Sequence, residues 1–240
     1  MGREFVLQLD RDQQFDEIWV LARRREVLEA LGQNTRAKIR AIPCDLTKPD
    51  SIEAYASLLD EIKPCVSVLV NAGGFGQFGA FVDIPLETQL EMIDLNDKAL
   101  VAMTYRTLPY MTEGSVIYQL GSLSAFQPVP YIGVYGASKA FVMSFSRSLN
   151  VELKKLGIKV MAVCPGWVKT DFFNRAVTDD TITYYNRYYT AEEVVRRALR
   201  DMKRGRDVSV CGKQIRAQVL LTKLLPHRLV MKIWCKQQKK

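Results

Sequence analysis

Histidine is nearly absent from this chain: among 240 residues, His227 stands alone. It follows Pro226 where a helix is expected to start, and no catalytic role falls to it. The five cysteines, Cys44, Cys65, Cys164, Cys211 and Cys235, show no Cys-x-x-Cys spacing and have no histidines beside them. That argues against a zinc site and for reduced, mostly buried thiols, as expected of a cytosolic protein. No apolar run is long enough to cross a bilayer. No internal repeat, low-complexity stretch or Gly/Ser linker marks a domain boundary. Acidic residues are missing from one region: none follows Asp207, whereas eight basic residues do. With 34 Lys and Arg against 26 Asp and Glu, residues 1–207 balance at 26 each, and the whole +8 excess sits in the tail. A neutral body without a binding motif argues against nucleic acid as a partner.

What is present points to an α/β protein. A length of 240 residues with 48% hydrophobic content suits one domain over 1–240, with 208–240 as its basic, apolar C-terminal extension. Val66–Val70, Ser115–Leu120 and Lys159–Val163 are short, β-branched apolar runs, the pattern of strands buried on both faces. The first runs into the small-residue turn Asn71-Ala-Gly-Gly74, the second delivers Ser122, and the third ends in Cys164-Pro-Gly-Trp-Val-Lys-Thr170. Ligands of open α/β sheets bind beyond the carboxyl ends of the strands, so these polar segments should share one rim.

Tyr135 and Lys139 stand four residues apart in Val134-Tyr-Gly-Ala-Ser-Lys-Ala-Phe141. On a helix that spacing puts both on one face, one turn apart. A nearby ammonium favours the phenolate and is expected to lower the tyrosine pKa from about 10 toward neutrality. Such a tyrosine can exchange a proton with a carbonyl or alcohol oxygen. Alone, Tyr-x-x-x-Lys is a common spacing. Ser122, thirteen residues upstream, supplies a short hydroxyl partner, with Ser124 as its local competitor.

Asn71-Ala-Gly73, Asn96, Ser122, Tyr135 with Lys139, and Pro165-Gly166 with Thr170 stand in the order and at the separations of the short-chain dehydrogenase/reductase family. The chain resembles that family over nearly all of residues 1–210. The resemblance implies a doubly wound Rossmann-type fold, a parallel sheet with helices on both faces. It implies Tyr135 as general acid/base and Lys139 as the residue that lowers its pKa and holds the nicotinamide ribose. Ser122 would hydrogen-bond the substrate oxygen, and Asn96 would anchor a water leading from Lys139 to solvent. Asn71, Ala72 and Gly73 would lie beside the cofactor, while Pro165, Gly166, Val168 and Thr170 would line the nicotinamide amide. Gly121 departs from the pattern, since a second serine is frequent there. Family members frequently form dimers or tetramers through the helices around Asn96 and Tyr135.

The family also opens with a strand and the turn Thr-Gly-x-x-x-Gly-x-Gly, whose backbone and following helix hold a pyrophosphate. Here Met1–Leu9 reads as that helix, Gly2 corresponds to the last glycine, and the first strand is missing. The expectation is an internal start within a longer gene product, with two strand edges and an apolar groove left open. Glu17–Leu21 reads as the second strand. It ends in Ala22-Arg23-Arg24, where an acidic residue would suit NAD and arginines suit a 2′-phosphate, favouring NADP(H). Asp45 resembles the residue that caps the adenine amino group. The expected activity is NADP(H)-dependent interconversion of a small carbonyl and its alcohol, the alternative a catalytically silent binding or scaffold protein.

Two segments remain. Asp171–Tyr189, with Phe172, Phe173, Tyr184, Tyr185, Tyr188 and Tyr189, reads as a lid whose rings either contact an apolar substrate or pack the lid to the body. Gln127–Tyr131 would form another wall, and Thr190-Ala-Glu-Glu193 reads as a capping box. The tail interleaves basic and apolar residues, fitting a helix packed over the cleft or against a second subunit, or peripheral contact with an anionic membrane.

Overall fold

The computed structural model describes residues 1–240. Eight strands are present: β1 (Glu17–Ala22), β2 (Lys38–Pro43), β3 (Val68–Asn71), β4 (Val116–Leu120), β5 (Lys159–Val163), β6 (Trp167–Lys169), β7 (Tyr188–Thr190) and β8 (Val208–Ser209). The main helices are α1 (Gly2–Asp12), α2 (Arg25–Glu29), α3 (Pro49–Ile62), α4 (Leu86–Ile93), α5 (Ala99–Thr107), α6 (Gly133–Glu152), α7 (Phe172–Ala176), α8 (Ala191–Lys203), α9 (Lys213–Leu224) and α10 (His227–Gln237). Except between β5 and β6, a helix separates successive strands, and every pairing is parallel, as βαβ crossovers require.

The order β3-β4-β5-β8 forms the larger sheet. Side chains of successive residues face opposite sides, so Tyr118 and Met161 pack with α1 and α8 in one core. Their neighbours Ile117 and Val160 pack with Leu149 and Leu153 in another. Helices therefore cover both faces. The strand expected at Val66 starts two residues later because the Val66 N–H donates to the Tyr110 carbonyl at 2.8 Å. Residues 208–209, assigned to the tail extension, belong to the sheet: β8 pairs with β5.

β1 and β2 form a separate two-stranded sheet, so β1 and β3 each have one edge without a strand partner. The groove between them is not bare. Phe5 and Leu9 of α1 enter the main core, with the Phe5 ring 5.1 Å from that of Tyr118. Val6, on another side of α1, packs against the Val20, Leu28 and Leu31 cluster of the small sheet. Asp10 completes the tie by accepting from the N–H groups of Arg36 and Ala37 at 2.8 and 2.9 Å, just ahead of β2.

Candidate active site

β4 ends at Leu120, and Gly121 turns the chain at a point where space is scarce. A Cβ there would lie 2.9 Å from the buried Cys164 sulfur, which explains glycine where a second serine is frequent. Ser122 then caps a short 3-10 turn, its Oγ accepting from the Ser124 N–H at 3.2 Å. The Leu123 N–H donates to the Pro165 carbonyl at 2.7 Å, tying the ends of β4 and β5 together. Ser124 is buried, and its hydroxyl has no partner.

α6 carries Tyr135 and Lys139 on successive turns of its first half. Lys139 is 4% exposed, and its ammonium donates to the Leu120 carbonyl at 2.8 Å. It lies 5.8 Å from the centre of the Tyr135 ring. Burial pushes the Lys139 pKa down to about 8, with the Asp97 carboxylate acting in the opposite sense. Tyr135 is pushed up to about 12, again by burial, with Ser122 pulling the other way. The expected lowering of the Tyr135 pKa is therefore corrected. Desolvation of the phenol dominates, and the Lys139 ammonium is bonded to the Leu120 carbonyl.

Asn96 lies in a five-residue π-helical turn, Asp94–Lys98, between α4 and α5. Fully buried, it exchanges two hydrogen bonds with the Phe75 backbone, at 3.0 and 2.9 Å, and donates to Ser138 Oγ at 3.0 Å. Ser138 in turn donates to the Tyr135 carbonyl at 2.8 Å, so Asn96 is linked to the first turns of α6. Gly74 shows how close the pieces are. A Cβ there would sit 2.8 Å from Asn96 Oδ1 and 3.3 Å from Lys139 Nζ, at a φ of +152°. Asn71 holds the sheet to α5, donating to Thr104 Oγ1 at 3.0 Å and Gln119 Oε1 at 2.9 Å.

These residues border a cavity of about 310 Å³, whose wall includes Gly74, Ser122, Tyr135, Lys139, Pro165, Gly166, Val168 and Thr170. The other cofactor candidates lie outside it. Gly2 opens α1 with its Cα hydrogens facing Ala72, a Cβ there reaching 3.5 Å from the Ala72 Cβ. Arg23 and Arg24 are exposed, and neither is in an ion pair. Asp45 accepts from the Thr47 N–H and hydroxyl at 3.0 and 2.8 Å. Those bonds hold its pKa down, with the Arg23 charge adding to them.

The lid rings divide between the two roles weighed for them. Phe172, Phe173 and Tyr184 line the cavity, and Phe172 lies 5.5 Å from the Tyr135 ring. Tyr185 and Tyr188 pack against Phe173 at 5.7 and 5.5 Å, and Tyr189 is buried in the main core. The lid also contains regular structure: α7 lies within it, and β7 at its end pairs with β6, which precedes it. Gln127 and Val129 form the other wall. The capping box at Thr190 and Glu193 is present.

Two contributors, Asp97 and Gln238, escaped sequence reasoning. Asp97, beside Asn96, is half-buried with one oxygen unpartnered, and burial raises its pKa to about 6. Gln238 is 2% exposed and clasps the lid: its Oε1 accepts from the N–H groups of Thr183 and Tyr184, both at 2.9 Å. Trp234 donates to the Pro130 carbonyl at 3.0 Å and lines the cavity, so α10 packs over the cleft, one of the placements weighed for the tail.

The donor set fits the nicotinamide end of a dinucleotide. An ammonium has three donors. Lys139 spends one on Leu120 and presents the others at a cavity bordered by the Ser122 and Tyr135 hydroxyls.

Comparison with known proteins agrees. The model of the short chain dehydrogenase family matches residues 1–181. The chain is 36% identical over 157 residues to sulfoacetaldehyde reductase 2 of Chromohalobacter salexigens, covering 62% of each chain. Among solved structures it is similar to a short-chain dehydrogenase from Sphingobium yanoikuyae in complex with NADPH. That likeness has a TM-score of 0.75 at 29% identity, over 87% of this chain and 82% of the other. A bulky-bulky ketone specific alcohol dehydrogenase from Comamonas testosteroni gives 0.71 at 25% identity, over 87% and 80%. The chain belongs to the short-chain dehydrogenase family, and is by that membership an enzyme of the oxidoreductase class with a Rossmann-type fold.

Proposed function

We propose that this protein is an NADP(H)-dependent oxidoreductase that interconverts an apolar, bulky carbonyl compound and its alcohol. The observation that carries the reading is the buried Lys139 ammonium, with donors to spare, in one cavity wall with Ser122 and Tyr135. Bound there, the cofactor supplies or accepts the hydride at its nicotinamide ring. Tyr135 gives its proton to the substrate oxygen as that oxygen gains charge, and takes it back in the reverse direction. Ser122 donates a hydrogen bond to the same oxygen and stabilises the developing charge. Lys139 holds the ribose hydroxyls and offsets the charge left on the phenolate. Asn96 fixes the first turns of α6 through Ser138 and would anchor a proton-relay water.

Gly2, at the amino end of α1, would meet phosphate, with Asn71, Ala72 and Gly73 alongside. Pro165, Gly166, Val168 and Thr170 line the amide side. Arg23 and Arg24, exposed and unpaired, suit a 2′-phosphate, and Asp45 suits the adenine amino group. The NADPH in the Sphingobium relative and the bulky ketone in the name of the Comamonas relative support these choices. So does the aromatic lining of Phe172, Phe173, Tyr184 and Trp234. The intact buried set favours an enzyme over a silent binding protein.

Three further assignments belong to this reading. Residues 1–240 act as one domain, the unpaired cysteines suit the cytosol, and the chain self-associates. Leu90, Ile93, Tyr105 and Phe141, exposed on α4–α6, support the last point. Titration of NADPH and NADH by fluorescence, followed by NADPH consumption with a bulky aryl ketone, tests the whole. NADPH binding tighter than NADH binding, with ketone-dependent turnover, is expected. Binding of neither dinucleotide overturns it.

A further inference from the structure

The tail does more than wall the cavity. α9 buries Ile215, Val219 and Thr222, and α10 buries Val230, but each leaves a second apolar stripe in the open. Leu220 and Leu224 on α9 are 60% and 72% exposed, and Leu229 and Ile233 on α10 are also exposed. The spacings i, i+4 place each pair on one helix face. Leu221 and Ile233, exposed and cavity-lining at once, bring this surface to the rim of the cavity.

Cations surround the stripe. Lys213, Arg216, Lys223, Arg228, Lys232, Lys236, Lys239 and Lys240 are the only charged residues after Asp207. None of the eight is in an ion pair, whereas thirteen ion pairs are formed elsewhere in the molecule. Arg228, Lys232 and Lys236 run along α10 beside Leu229 and Ile233, four residues apart. A helix pair with an exposed leucine stripe bordered by unpaired cations has the form of an interfacial membrane anchor.

We propose that α9 and α10 dock this protein on an anionic phospholipid surface, with the cavity mouth turned to the lipid. Leu220, Leu224, Leu229 and Ile233 enter the boundary between headgroups and acyl chains, and the lysines and arginines meet lipid phosphates. Neither helix spans the bilayer, and none is long and apolar enough to do so. A second copy of the chain fits this face poorly, because apposing two such surfaces brings eight unpaired positive charges against eight more. Nucleic acid has a use for the cations but none for the leucines among them. The proposal deepens the reductase reading by directing an apolar substrate from lipid into the cavity. Lipid binding is nonetheless measured apart from catalysis.

The test is co-sedimentation of the full chain with vesicles of phosphatidylcholine alone and of phosphatidylcholine with phosphatidylserine. Three proteins are compared: the unaltered chain, Lys232→Gln with Lys236→Gln, and Leu220→Gln with Leu224→Gln. None of these four side chains lines the cavity. NADPH titration and circular dichroism verify that each variant is folded. Partitioning onto the anionic vesicles should exceed that onto neutral ones by tenfold or more. The lysine pair should reduce it about 30-fold and the leucine pair at least about tenfold. No pelleting, or equal pelleting on both vesicles, overturns the proposal. Binding unchanged in the leucine variant also overturns it, revealing a merely cationic surface. So does a dimer in size-exclusion that Leu224→Gln converts to monomer, which assigns the face to a second copy. Vesicle binding without NADPH turnover would count against the reductase reading alone.

Discussion

The two sheets handle their polar residues in opposite ways. Around β3–β4–β5 the site residues are held by internal hydrogen bonds: Asn96 to the Phe75 backbone, Lys139 to the Leu120 carbonyl, Asn71 to the side chains of Gln119 and Thr104. Beyond β1–β2, the Asp45 carboxylate is tied only to its neighbour Thr47, and Arg23 and Arg24 are exposed with no ion-pair partner. Proton transfer needs groups whose pKa values and positions are fixed before the substrate arrives. Recognition of a phosphate can be left to solvated arginines that order on the ligand. On the proposed reading the larger sheet carries the chemistry and the smaller one the choice of cofactor.

That contrast can be broken from either side. Tyr135→Phe removes the exchangeable proton and nothing from the packing, so turnover should fall about 10²–10⁴-fold while NADPH fluorescence titration is unchanged. Asn96→Leu leaves the Phe75 N–H and carbonyl unpaired in a buried site. It should destabilise the fold by about 2–4 kcal/mol, read from the urea midpoint. On the other sheet, Arg23→Glu with Arg24→Glu should weaken NADPH binding about 10–100-fold and NADH binding far less, with stability unaltered. Equal loss for both cofactors would sink the selective role.

Asp97 offers the smallest effect. Burial raises its pKa in the fold to about 6 from 3.8, so the folded state favours the neutral carboxyl. Below about pH 4 the group is neutral in both states and costs nothing; above pH 6 the cost is fully present. Asp97→Asn should therefore raise stability by about 1–2 kcal/mol at pH 7.5, a modest value because the carboxylate is half-exposed and screened. The gain should shrink toward zero as the pH falls from 6 to 4 in denaturant titrations.

What was legible in the sequence follows the range of the interactions involved. Tyr135 and Lys139, one helix turn apart, and the strand-end segments at Asn71, Ser122 and Pro165 are local patterns; Gly74, Ser122, Tyr135, Lys139 and Pro165 border one cavity, and Asn71 stands outside it. The α/β class was equally readable from the apolar runs. The direction of the Tyr135 pKa was not, because spacing gives a shared face but neither the burial of the phenol nor the turn of the ammonium toward Leu120. Gln238 clasps residues more than fifty positions earlier, and β6 pairs with β7 across the lid; neither contact has a local signature. Asp97 differs again. Its neighbour Asn96 was singled out, but nothing local reveals that the turn bearing both is π-helical and half-buries the carboxylate.

One measurement bears on the central claim most directly. The chain is incubated with NADPH carrying deuterium at both C4 positions and a bulky aryl ketone, and the alcohol is analysed by mass spectrometry. The account predicts an alcohol bearing one deuterium on its carbinol carbon from the unaltered protein, and almost none from Tyr135→Phe. Alcohol without deuterium, or equal yields from the two proteins, would contradict it.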